Sequence, residues 1–319
     1  MATHLPKFAP PLTSSVKHDV YPAIDPAGAL AGAAKGLRVL VTGAGRGVGR
    51  QEALAFAQAG AQKLVLTSRS QGELDDVKQA IDALNNRTEV ILHGGDITDE
   101  ASVDQLFDAA GELDVLINNA GYLEPCTPIR ASNPADWTRS ININITGTYL
   151  ATRAFLRSAE KHGRIDPDRA SMPAHSSKAA LTVINTSSVG SVGTRPGFSG
   201  YQPAKTTVNR FTEFLHFEEP LVRTFAMHPG GVMTKLARES MPPDTHGLLT
   251  DKAELAAGFA VWLATQSKAD FLRGRYVSAN WDVADLVKKA PEIIERDLLW
   301  TRVVGQEQVM PKSSHVHLS

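Results

Sequence analysis

Apolar residues in this chain fall into short runs that alternate with longer segments of helical period. "LRVLVTG" (Leu37–Gly43) is β-branched-rich and apolar on both faces, the pattern of a parallel strand buried between two layers. "VGRQEALAFAQAGA" follows with Val48, Leu54, Phe56 and Ala57 among its apolar positions, a helical repeat. The alternation continues through "KLVLTSR", a helix to about Asn85, "EVILHGGD", a helix through "EASVDQLFDAAG", and a fourth strand at Leu113–Ile117 in "LDVLINNAG". One long helix is predicted from Pro134 to Lys161, then a fifth strand in "ALTVINTSS" and a helix opened by "YQPAK". A sixth strand lies in "LVRTFAMHPGG" and a seventh in "GRYVSANWD". Strands alternating with helices of this length predict a doubly wound α/β parallel sheet. Right-handed crossovers place all strand C-termini on one edge, where ligands bind.

Three segments break the pattern. Residues 1–36 are rich in Pro and Gly and are expected to form an extension that lies on the surface or is partly disordered. Residues 162–180 are polar and are expected to form a long surface loop. Residues 234–250 follow the sixth strand at the ligand edge and are expected to form a lid. The resulting division is an extension (1–36), one α/β domain (37–281) and a C-terminal tail (282–319).

Composition narrows the classes. The 319 residues suffice for one large domain, and a net charge of −1 without like-charge runs gives no electrostatic basis for nucleic-acid binding. The single cysteine, Cys126, excludes an internal disulfide and a cysteine-rich metal site, and fits a reducing, cytoplasmic setting. No window approaches the ~20 apolar residues of a membrane span.

The chemistry begins at "TGAGRGVG" (Thr42–Gly49), between a predicted strand and a predicted helix. A dinucleotide needs a tight turn, close backbone approach to its pyrophosphate and a helix N-terminus aimed at it. Thr42, Gly43, Gly47, Val48 and Gly49 supply that arrangement. NAD-type sites carry an acid about 20 residues further on, to bind the ribose 2′-hydroxyl. Here that position is Ser68, followed by Arg69, and Arg46 adds a second cation from the turn. Two arginines and no acid predict NADP(H). Asp96 and the Ile97 backbone, after the third strand, are placed to meet the adenine; helix capping near Thr98 and Asp99 is the competing reading of Asp96.

"YQPAK" sets Tyr201 and Lys205 four residues apart, one turn apart on one helix face. Alone the pair is a weak signal. It gains weight from the ordered set around it: Thr42-Gly43-x-x-x-Gly47-x-Gly49, Asn118-Asn119-Ala120-Gly121, Asn144 in "NITG", Ser188 in "INTSSVGS", Tyr201-x-x-x-Lys205 and Pro229-Gly230-x-Val232-x-Thr234. In order and spacing, from about residue 37 to 280, the chain resembles the short-chain dehydrogenase/reductase family, and its tail resembles that of fungal secondary-metabolism members.

The resemblance implies a single Rossmann-type domain with a seven-stranded parallel sheet, a homo-oligomer (dimer or tetramer), and NADP(H)-dependent interconversion of a ketone and a secondary alcohol. Tyr201 would be the acid/base. A free phenol near pKa ~10 is a poor base at neutral pH, and nearby positive charge, from Lys205 among others, is expected to lower it. The resemblance further has Lys205 hold the nicotinamide ribose, Ser188 bind the substrate oxygen, and Asn144 hold a water that relays protons. It assigns Asn119, Ala120, Gly121, Pro229, Gly230, Val232 and Thr234 to the cofactor, Thr234 to its carboxamide. Ser188 is preferred to Ser187 because it lies thirteen residues before Tyr201; Asn144 is preferred to Asn118 and Asn142 by its context. His216 and His228 read as structural. The substrate end, near Val189, Phe198 and Met233, is apolar and suits a bulky small molecule, polyketide- or terpenoid-like. Two other readings stay open: non-redox net chemistry on the same fold (dehydratase, epimerase or isomerase), and a non-catalytic NADP-binding regulator.

Overall fold

A computed structural model of the chain describes residues 12–84, 87–165 and 181–303. Seven strands form one parallel sheet: β1 (Arg38–Thr42), β2 (Lys63–Ser68), β3 (Glu89–Gly94), β4 (Val115–Asn118), β5 (Thr182–Thr186), β6 (Arg223–His228) and β7 (Tyr276–Ser278). Their order is β3-β2-β1-β4-β5-β6-β7. The chain runs outward from β1 to β3, then returns to β4 on the other side of β1. That reversal opens a crevice at the C-terminal ends of β1 and β4.

Strand side chains alternate between faces, and the packing follows that period. Val39 and Val41 of β1 enter a core built with α1 (Gly47–Gln58), α2 (Gln71–Asp82) and α8 (Ala253–Thr265). Leu40 enters the opposite core, with α3 (Glu100–Ala110), α5 (Thr148–Lys161) and Leu215 of α6 (Tyr201–Glu218). Both faces of the sheet are thus covered, which is why its strands read as continuous apolar runs.

The helix predicted from Pro134 to Lys161 has three parts: α4 (Pro134–Ile141), a π-helical segment (Asn142–Gly147) and α5. Widened turns of this kind recur at functional sites, and this one holds Asn144.

The expectation for the N-terminal extension is corrected over residues 12–36. Pro22–Ile24 form a short 3-10 helix, and Ile24, Leu30 and Ala34 are fully buried in the α1/α8 core. A Cβ on Gly258 of α8 would come within 2.4 Å of the Ile24 carbonyl oxygen, so the glycine lets the two segments touch. The tail likewise carries α9 (Val283–Glu295), which buries Val283, Leu286 and Ile293. Residues 234–250 are two short helical segments rather than open loop: α7 (Lys235–Ser240) and a 3-10 turn at Pro243–Leu248. Of the predicted 162–180 loop, residues 166–180 lie outside the described residues. No helix among the described residues is long and apolar enough to cross a membrane.

Candidate active site

The crevice holds a cavity of about 800 Å³. The glycine turn lines one end, the Tyr201 helix and the β5 and β6 termini line the middle, and apolar side chains close the other end.

The turn is shaped by contacts that leave no room for a Cβ. Gly43 has φ +65°, and a Cβ there would sit 2.9 Å from the Ala120 Cα; at Gly49 it would sit 2.4 Å from Asn119 Nδ2. Asn119 is the brace: its Nδ2 donates to the carbonyls of Thr42 (3.0 Å) and Gly43 (3.1 Å). Thr42 Oγ1 in turn accepts the N–H of Asn119 (3.1 Å) and of Ala120 (3.0 Å). The contacts of Asn119 therefore run to the turn backbone, and those of Asn118 to Thr152 and Asn185 within the core. Across the turn, the Thr234 methyl lies 3.3 Å from where a Gly47 Cβ would be, while its hydroxyl caps α7 at the Ala237 N–H. Backbone cradle, helix N-terminus and flanking Thr234 together fit a dinucleotide.

At the ribose end, the expectation that no acid is present is corrected. Glu73 of α2 lines the cavity, and its Oε2 lies 3.0 Å from the position of a Gly45 Cβ, as does Ser68 Oγ. Glu73 Oε1 accepts from Arg46 Nη1 at 2.9 Å, so Arg46 is already paired. Arg69 is exposed and makes no ion pair among the described residues. Asp96 Oδ1 accepts from the Thr98 N–H and hydroxyl at 2.9 and 2.7 Å. Burial raises the Asp96 carboxyl, but these two bonds together with the Arg69 and Arg139 charges hold the group below its ordinary value. Capping of α3 falls to Asp99 instead.

In the middle of the cavity, Ser188, Tyr201 and Lys205 converge. Lys205 is buried, lies 5.6 Å from the Tyr201 ring centroid and donates to the Thr186 carbonyl at 2.6 Å. Burial pushes its ammonium down to about 7. Tyr201 departs from expectation: burial raises its phenol, a hydrogen bond from Ser188 pulls the other way, and the Glu124 carboxylate adds to the rise. An ammonium half discharged near neutrality cannot outweigh desolvation. In the protein alone, then, the phenol stays protonated at neutral pH.

Ser187 and Ser188 separate cleanly. Ser187 also borders the cavity, but it is buried and its hydroxyl is committed to Asn209 Oδ1, to which it donates at 2.5 Å. Ser188 Oγ accepts the Gly190 N–H at 3.0 Å and faces the cavity. His228 Nδ1 accepts the Val189 N–H at 3.1 Å, and burial lowers the ring to about 4, so it braces this turn as a neutral imidazole. Asn144 is fully buried; its Nδ2 donates to the carbonyls of Tyr122 (2.6 Å) and Ser140 (2.8 Å). Its Oδ1 has no protein partner and lies, like Lys205 Nζ, beside Gly121. Asn142 is exposed.

Three acids escaped the sequence reading. Glu73 has no signal beyond its place early in α2. Glu124 follows the Asn118–Gly121 motif and meets residues 76 and 77 positions later. Asp251 Oδ2 accepts the Gly231 N–H at 2.6 Å and Asn280 Nδ2 at 2.8 Å, while its Oδ1 takes His18 Nδ1 at 2.5 Å. The N-terminal segment is thereby tied to the Pro229–Gly231 turn. At the apolar end, Leu123, Val189, Val192, Phe198, Leu236 and Met241 line the wall; Met233 does not.

Comparison with known proteins fits this geometry. The family model described as short chain dehydrogenase matches residues 38–244. Short chain dehydrogenase mpl6 of Monascus purpureus is 39% identical over 306 residues, covering 91% of this chain and 96% of that protein. Short chain dehydrogenase andI of Emericella variicolor is 31% identical, covering 89% and 93%. Among solved structures, a 3-ketoacyl-(acyl-carrier-protein) reductase from Brucella melitensis complexed with NADH is 26% identical with TM-score 0.65, over 76% of this chain and 96% of that one. The chain belongs to the short chain dehydrogenase family, whose members bind a nicotinamide cofactor.

Proposed function

We propose that the protein is an NADP(H)-dependent ketoreductase of fungal secondary metabolism that reduces a ketone on a bulky, apolar small molecule. The observation that carries this reading is the half-buried, protonated Tyr201 phenol, with Ser188 beside it and Lys205 one turn on, facing an apolar chamber. When bound, the nicotinamide supplies the hydride. The chain's own residues do the rest. Ser188 Oγ–H donates to the carbonyl oxygen of the substrate, where negative charge develops. The Tyr201 hydroxyl gives its proton to that oxygen. Lys205 steadies the phenolate that remains, and the Asn144 Oδ1 with a water returns a proton toward it from solvent. The phenol is protonated at neutral pH, the form that a proton donor in carbonyl reduction requires.

Thr42–Gly49, Ser68, Asp96, Ile97, Asn119–Gly121, Pro229, Gly230, Val232 and Thr234 would hold the cofactor, with Arg69 as the main contact of a 2′-phosphate. The apolar wall selects the substrate's body. The test is NADPH consumption against a panel of bulky aromatic and alicyclic ketones, with product analysis. Stoichiometric NADPH oxidation and alcohol formation support the reading. Product formed without NADPH loss would replace it with non-redox chemistry.

A further inference from the structure

α6 begins at Tyr201 itself, so the proton donor sits in a first helical turn whose N–H groups have no helical partner. The Gln202 N–H donates to the Phe198 carbonyl at 3.0 Å, and one buried side chain takes the two N–H groups before it. Glu124, 4% exposed and contributed by the segment after β4, accepts the Gly200 N–H at 2.8 Å and the Tyr201 N–H at 2.9 Å through Oε1. The fit at position 200 is tight: a Cβ on Gly200 would lie 3.1 Å from that same oxygen and 3.2 Å from the Trp137 ring. The other carboxylate oxygen, Oε2, is buried without a partner. A capping role alone would be met by the Ser, Thr, Asp or Asn that usually stands at the N-cap. Here the helix has Gly200 at the N-cap, with no side-chain cap of its own, and the acceptor comes from 76 residues away.

We propose that Glu124 is the positioning residue of the proton donor: its carboxylate fixes the first turn of α6, and with it the Tyr201 side chain, and sets the electrostatic field at the phenol. The helix N-terminus favours an anion at Oε1. That anion in turn makes loss of the Tyr201 proton harder, consistent with the raised phenol. The other groups around the phenol do not duplicate it. Ser188 is a neutral donor, Lys205 is half discharged near neutral pH, His228 is uncharged there, and Tyr122 itself feels the Glu124 charge.

The inference rests on Tyr201 as acid, and its test separates the two. Glu124→Gln keeps an acceptor and removes the charge; Glu124→Ala removes both. The Tyr201 phenol is titrated by NMR with ring-labelled tyrosine, its signal assigned by Tyr201→Phe, and reduction kinetics are measured alongside. Glu124→Gln should lower the Tyr201 midpoint by about 0.5 pH unit or more, with kcat within a few fold of wild type. Glu124→Ala should lose about tenfold or more in kcat, which the Gln variant rescues. An unmoved midpoint in Glu124→Gln, or wild-type kcat in Glu124→Ala, overturns the proposal whether or not Tyr201 is the acid. A Tyr201→Phe variant that still turns over overturns the acid assignment instead, and the titration still decides the role of Glu124.

Discussion

Arg46 Nη1 donates to Glu73 Oε1 at 2.9 Å across the rim of the cavity, so one of the two cations at the ribose end is held by an acid from the neighbouring helix. Both partners are half exposed, and pairs of this kind contribute only about 0–1 kcal/mol. On the proposed reading, a 2′-phosphate would compete with Glu73 for Arg46 and be repelled by the carboxylate it displaces. Glu73→Gln should therefore raise the NADPH-over-NADH ratio of kcat/KM by about threefold or more, ~0.6 kcal/mol. A fall in that ratio in steady-state assays would mean that Glu73 serves the phosphate site in some other way.

On the proposed NADP(H) reading, Arg69 is the main contact of the 2′-phosphate and Arg46 a secondary one. Charge-assisted hydrogen bonds contribute about 1.5–3 kcal/mol. Arg69→Asp removes one such donor and offers a carboxylate to a free 2′-hydroxyl. Its kcat/KM for NADPH should drop at least ~10-fold, ~1.4 kcal/mol, with NADH improved or unchanged. The Arg46/Arg69 double change should cost more than Arg69 alone. Wild-type enzyme that prefers NADH would contradict the assignment.

Lys205 titrates near about 7 because it is buried. Its cationic form, present below that pH, is the one that steadies a phenolate, so reduction should slow as pH rises through the neutral range. Lys205→Met leaves the Thr186 carbonyl without its donor and should lower kcat and weaken NADPH binding together. It should also erase this limb of the pH–rate profile. A variant with wild-type NADPH affinity and an unchanged profile removes both roles from Lys205.

Glu52, in α1, is fully buried with neither carboxylate oxygen partnered, and desolvation raises it to about 8. In the unfolded chain it ionises from about 4.5 upward. Between those values the unfolded state has released a proton that the folded state keeps, so this group lowers stability as pH rises, by up to ~1.4 kcal/mol per pH unit. Glu52→Gln should remove that slope and be more stable than wild type near neutral pH. Denaturant midpoints compared at several pH values check this; parallel trends in the two proteins would refute it.

The parts legible in the sequence are those coded locally. Strands buried on both faces announce themselves as apolar runs, and the glycine turn and the Tyr201/Lys205 spacing are each a few residues long. What stayed hidden depends on distance in sequence. Ile24, Leu30 and Ala34 follow no strand or helix period, and their core is completed by α1 together with α8, the latter more than two hundred positions on. Glu124 and Glu73 are ordinary acids until the fold brings them to Tyr201 and Arg46. The π-helical turn at Asn144 ("NINITG") is made of poor helix formers, but a weak propensity does not distinguish a widened turn from an ordinary one, and only its hydrogen bonds reveal the wider winding. The Tyr201 phenol was expected to be lowered by Lys205; the expectation counted the charge but not the burial that both groups share.

The central claim is that Tyr201 donates the proton in carbonyl reduction, and single-turnover kinetics of Tyr201→Phe test it most directly. With NADPH bound and a ketone that wild type reduces, the loss of one hydroxyl should slow the chemical step by about 10²–10⁴-fold. NADPH affinity, measured separately by fluorescence titration, should remain near the wild-type value. A variant that keeps more than about a tenth of the wild-type rate would show that the proton comes from another group.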